Sequence, residues 1–186
     1  MSTPTKPGAE PDFSLRALLM LAWPVVVARS TQAVIGFCDA LMTAPLGEAA
    51  MAAVTTGSMN AFSLIVLPMG IVYIVQSMAS QFKGKGDHAA ARRYAYYGLL
   101  MTVVTGVLAV MGTGLIAPVL GLLDIEPLVH TYMSEYMVIR MFAITPLLGI
   151  EVLGNWYGGL GNTRVHMAAG LVAMVLNIFL NWLLIQ

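Results

Sequence analysis

The sequence predicts an all-α integral membrane protein with five transmembrane helices. Of its 186 residues, 59% are hydrophobic and only 10% are charged, against about 45–50% and roughly 25% in a soluble domain. Residues 49–79 and 95–123 contain no Asp, Glu, Lys or Arg. Each of these stretches exceeds the roughly 20 residues needed to cross a hydrocarbon core. A third observation is that basic residues occur in alternate connections between the apolar stretches, the pattern of a chain threaded back and forth through a bilayer.

In chain order, residues 1–14 are polar and rich in Pro and Thr and read as a disordered cytoplasmic tail. The apolar stretch that follows is too long for the core of a cleavable signal, and no small-residue cleavage site stands after it. Five helices are expected at residues 15–42, 48–80, 88–122, 127–157 and 165–185, so the membrane region spans 15–186. Pro24, Pro68 and Pro146 fall inside helices, where each removes a backbone hydrogen bond and favours a bend. Ala49, Ala53, Gly57 and Ala61 recur every four residues, a small-residue stripe that lets another helix come close. Asp87 precedes the third helix as its cap.

Orientation follows from the cations. Lys6 and Arg16 stand at the start, Lys83, Lys85, Arg92 and Arg93 cluster between the second and third helices, and Arg164 lies between the fourth and fifth. The connections "TAPLGE" and "LDIEP" hold neither Lys nor Arg. Positive connections stay inside, so a cytoplasmic N-terminus is predicted. The fifth helix then reaches the outer side at Gln186, and a bundle of transporter size is expected to continue past it.

Polar residues inside the helices mark the candidate site. Arg29, Gln32, Gly36, Asp39 and Thr43 step by three and four along the first helix and share one face. At 1.5 Å per residue, Asp39 lies about 15 Å outward of Arg29. A carboxylate facing a wet interior can take up and release a proton or bind a cation; the bland alternative for Asp39 is a helix end at the outer headgroups. Tyr136, Arg140, Glu151 and Asn155 populate the fourth helix, with Arg140 and Glu151, eleven residues apart, on one face. Arg29 and Arg140 are expected to pair with Asp39 and Glu151, either as structural counter-ions or as part of a cavity. Asn177 and Asn181 stand one turn apart on the fifth helix, where amides either bind neighbouring helices or line a cavity.

Zero net charge and the lack of a basic stripe with interleaved aromatics speak against nucleic acid as a partner. Cys38 is the single cysteine, so no disulfide can form within these residues. His88, His130 and His166 lie near helix ends without ligand spacing, the methionines are scattered, and "KGKGDHAAARR" lacks the frame of a phosphate loop. Neither a metal, nor an organic cofactor, nor an enzymatic activity is expected.

Several stretches together resemble one family. "LAWP" (Leu21 to Pro24) precedes Asp39 by fifteen residues, and "LGEAAMAAV" follows the short turn after it. "SQFKGKGDHAAARRYAYYGL", "GGLGNTRVHM" and "VLNIFLNWLLI" complete the set. In this order they are similar to multidrug and toxic compound extrusion (MATE) transporters over nearly all of the chain after residue 15. The resemblance implies two six-helix lobes around a cavity open to alternate membrane faces, in the cell's inner membrane. Amphipathic organic cations would leave in exchange for H+ or Na+, the coupling ion, with no other cofactor. This chain would supply the first five helices of the N-terminal lobe, the C-terminal half being a missing partner. Asp39, Asn177 and Asn181 match the ion-coupling positions, and Pro24 the proline whose bending follows protonation of the aspartate. The family's proton-linked branch often carries an aspartate where Asn181 stands, so either Asp39 would act alone with Asn177 and Asn181 as neutral partners, or the coupling ion would be held mostly by the absent lobe. Gln32 and Tyr136, with Arg29 and Arg140, are the candidate cavity residues. Rival expectations are a lipid-linked sugar flippase of related architecture, which needs a cationic chamber, and a fragment that does not itself transport.

Overall fold

The structure, a computed structural model, describes residues 14–185. The tail expected over residues 1–14 therefore lies, but for Ser14, outside the described residues, as do Lys6 and Gln186. Helix α1 covers Leu15–Thr43, and a 3-10 turn at Ala44–Leu46 leads into α2, Glu48–Gly84. Helix α3 (His88–Met111) passes through a 3-10 turn (Gly112–Leu115) into the short α4 (Ile116–Leu120). Helices α5 (Pro127–Phe142), α6 (Ile144–Gly159) and α7 (Thr163–Ile185) complete the order. Four spans are long and apolar enough to cross a membrane, and α5 with α6, bent by 48° at their junction, make a fifth.

Two predicted helices are interrupted, and both interruptions have the same cause. The third, expected straight over 88–122, tightens at Gly112–Leu115; the fourth, expected over 127–157, breaks at Ala143. Each break lies just upstream of a proline, Pro118 or Pro146. A proline has no N–H to give and its ring crowds the carbonyl four residues back, here Gly114 and Phe142. Glycines at 112 and 114 lower the cost of the tighter turn further. Helices α1 and α2, by contrast, run without interruption through Pro24 and Pro68.

Helix α2 is the axis of the packing, with α3, α5 and α6 all lying against it and α6 also packing on α3. The small-residue stripe does what its spacing predicts: Ala53, Gly57 and Ala61 are buried, and a Cβ on Gly57 would come within 2.9 Å of Tyr136 Cδ1. Helix α3 answers with its own small face, including Ala91, Ala95, Gly98 and Gly106. Asp87 Oδ1 accepts from the Ala90 amide at 2.8 Å, the predicted cap. At the far end of α6, Gly161 takes φ +77, a conformation open to glycine, and the Leu160 carbonyl beside it accepts from Lys83 Nζ at 2.5 Å.

The apolar core consists of side chains such as Ile65, Val72, Leu120, Met133, Leu148 and Val152, contributed by α2, α4, α5 and α6. Among the described residues no member comes from α1 or α7. Those two helices pack along each other and touch the rest more lightly. Their pairing is parallel and in register: Gly170 meets Ala28 and Thr31, and eleven residues after Gly170, Asn181 meets Asp39. The fold thus has an apolar body of α2–α6 and a two-helix blade, α1 with α7, laid on its side.

Candidate functional site

The seam between α1 and α7 holds the polar group the sequence singled out. Asn181 Nδ2 donates to Asp39 Oδ1 at 2.5 Å and also approaches Asn177 Oδ1 at 3.4 Å. All three side chains are half-buried. Their convergence follows from register: Asn177 and Asn181 are one turn apart, and the parallel packing carries that face of α7 onto the outer turns of α1. The Thr43 hydroxyl donates to the Asp39 carbonyl at 2.8 Å and so closes the helix end within its own chain. A hydrogen bond to a charged carboxylate contributes about 1.5–3 kcal/mol. Asp39 is therefore held by one neutral amide, with one oxygen engaged and the other not used by that bond.

The stripe continues down α1. A Cβ on Gly36 would meet nothing within 4 Å, and Gln32, one turn below, is exposed. Across from them, Tyr136 of α5 lies against Gly57, with the Arg140 guanidinium 5.8 Å from its ring centroid.

Arg29 belongs elsewhere. Its Nη1 and Nη2 donate to Glu151 Oε1 and Oε2, both at 3.3 Å, a two-pronged pair from α1 to α6. Of the pairings expected of Arg29 and Arg140 with Asp39 and Glu151, the one between Arg29 and Glu151 forms, while almost three helical turns along one rod separate Arg29 from Asp39. Glu151 and Asn155 are buried, and Asn155 Nδ2 donates to the Glu151 carbonyl at 2.8 Å and reaches Oε2 at 3.5 Å. The expectation that Arg140 and Glu151 share a face also fails: the 48° break at Ala143 puts them on different helices. Asn155 was not among the predicted site residues, though its place four residues after Glu151 was the signal that the two side chains meet.

One sizeable apolar cavity lies away from the polar stripe. A cavity of about 630 Å³ lies among α2, α3, α4 and α5, walled by apolar groups such as Leu64, Leu120, Met137 and Met141, with Asn60 and Ser63 at its polar edge. None of Gln32, Tyr136, Arg29 and Arg140, the predicted cavity residues, lines it.

Residues 24–183 match the MatE family. The chain is 31% identical over 170 residues to a probable multidrug resistance protein NorM of Rhizobium meliloti, covering 91% of this chain and 36% of that protein. It is 25% identical over 168 residues to the multidrug resistance protein NorM of Vibrio cholerae, covering 90% and 37%. A solved MOP superfamily transporter from Pyrococcus furiosus superposes with a TM-score of 0.83 at 20% identity, over 89% of this chain and 37% of that one. The chain thus spans little more than a third of the length of the curated relatives it matches.

Proposed function

The chain belongs to the MatE family, and from that premise we propose that it forms the first five membrane helices of the N-terminal lobe of a secondary active efflux transporter. The transporter exports amphipathic organic cations in exchange for H+ or Na+ by alternating access, and the remaining helices supply the rest of the translocation path. The N-terminus faces the cytoplasm and the protein resides in the inner membrane, the orientation favoured by the distribution of Lys and Arg.

The observation that carries this reading is Asp39 held by Asn181, whose amide also reaches Asn177, between two apolar helices. A charge in such a place costs about 2.5–3.5 kcal/mol by insertion measurements and calls for a use. Ionised, Asp39 attracts a cationic substrate or Na+ entering beside Gln32 and Tyr136. Once it has taken a proton or bound Na+, that attraction is gone, and the amides of Asn177 and Asn181 reorganise around a neutralised partner. Pro24, fully buried on the same helix, is where α1 lacks a backbone hydrogen bond and bends most readily. Ion and drug thereby compete for one carboxylate, and each shifts the conformational equilibrium by its differential affinity for the two states. Arg29 is neutralised by Glu151, which removes one of the two positive charges that a flippase for pyrophosphate-linked sugars would need.

Ethidium efflux from cells expressing the full-length protein tests this. Asp39→Asn is expected to lower ion-driven efflux about tenfold or more, the effect of losing roughly 1.4 kcal/mol of cation attraction. Efflux that keeps its rate and its dependence on the ion gradient in that variant would sink the proposal.

A further inference from the structure

We infer that Arg29 and Glu151 form a latch between the α1–α7 blade and the α2–α6 body, and that transport requires this latch to open. The inference rests on the efflux reading for its purpose, but its geometry stands independently.

The blade contributes nothing to the apolar core among the described residues. It meets the body through light contacts of α1 with α2 and of α7 with α6. Among the described residues the Arg29–Glu151 ion pair is the salt bridge that crosses from one part to the other, and it is two-pronged. Its two ends differ. Glu151 is buried and gripped by Asn155 on its own helix, whereas the Arg29 side chain remains 41% exposed. The carboxylate is therefore the fixed keeper and the long guanidinium the bolt, able to withdraw into the open side of α1 where Gly36 has no neighbour within 4 Å. Packed cores switch between discrete arrangements and do not deform continuously, so the body moves as one piece and the lightly attached blade moves against it. Arg29 and Glu151 are positioning residues in this scheme: they touch no transported molecule and set how often the blade is released. The Asp39 cluster sits wholly within the blade, on α1 and α7, so its state travels with the blade.

The test uses the full-length protein in lipid, with its other cysteines removed, Cys38→Ser included. Phe37→Cys on the blade and Val107→Cys on the body carry spin labels; both positions are exposed. The unmodified latch is expected to give one dominant distance. Arg29→Gln, Glu151→Gln and the double variant are each expected to raise a second distance population about tenfold, a typical coupling magnitude. The double variant leaves no lone buried charge, so it reports on the latch even where a single variant folds poorly. If all three keep the original distance, or lose thermal stability without a second distance, the latch is refuted. If only the single variants show the second distance, the cause is an unpaired charge and the latch is likewise refuted. Failure of the efflux reading shows separately, as a lack of ethidium efflux by the protein with its latch intact.

Discussion

At the residue scale the structure turns on which amides and carboxylates meet. Asn181→Leu removes the donor to Asp39 Oδ1 and places an apolar side chain against a carboxylate. It is expected to lower stability by about 1.5–3 kcal/mol, measured as a fall in the unfolding temperature in detergent, whereas Asn177→Leu, whose contact is longer at 3.4 Å, costs less. Equal losses in the two variants would contradict the bonding described. The grouping of Asp39 with Asn177 and Asn181 was legible through the resemblance of their stretches to one family. Which of the two acids Arg29 takes was not legible. Its pairing with Glu151 depends on which helices adjoin, and spacing along one helix carries no information about that.

At the scale of elements, close approach governs. A Cβ on Gly159 would run into the Gln76 backbone carbonyl, which cannot step aside as a side chain can. Gly159→Val is accordingly expected to cost about 1–3 kcal/mol through forced separation of α6 from α2, read by thermal unfolding. Gly36→Val, at a site with nothing within 4 Å, leaves the helix packing unchanged. The same scale shows where sequence reading ran short. The position of all five spans follows from the apolar runs, but the break at Ala143 and the 3-10 turn at Gly112–Leu115 lie upstream of prolines whose effect is local and geometric. Four prolines fall inside predicted helices, and only Pro118 and Pro146 coincide with a break. Intrinsic bias is the same at every proline, and tertiary packing decides where it is expressed.

At the scale of the whole molecule, the threading through the bilayer makes a sharp prediction. In a Cys38→Ser background, with any cysteine elsewhere in the full-length protein removed, Asp124→Cys is expected to react with a membrane-impermeant thiol reagent added outside intact cells. Ala89→Cys, in the first turn of α3 beside the connection rich in Lys and Arg, is expected to react only after the membrane is opened; both positions are exposed. Reversed labelling would invert the topology and place Asp39 toward the cytoplasm. Overall helical architecture was readable because hydrocarbon punishes every unpaired backbone group and so leaves long apolar helices as the main option. The separation into body and blade was not, since it depends on which apolar faces are matched to one another.

The wide spacing of the polar partners also bears on how the protein is made. Arg29 and Glu151 are 122 residues apart, and Asp39 and Asn181 are 142 residues apart. The nascent first helix therefore enters the lipid carrying a cation and an acid whose companions have not yet been synthesised. Until α6 and α7 emerge from the ribosome, it must be sheltered by the insertion machinery or shifted toward the headgroups. Biogenesis intermediates ending before Glu151 are then the species most exposed to quality-control proteolysis.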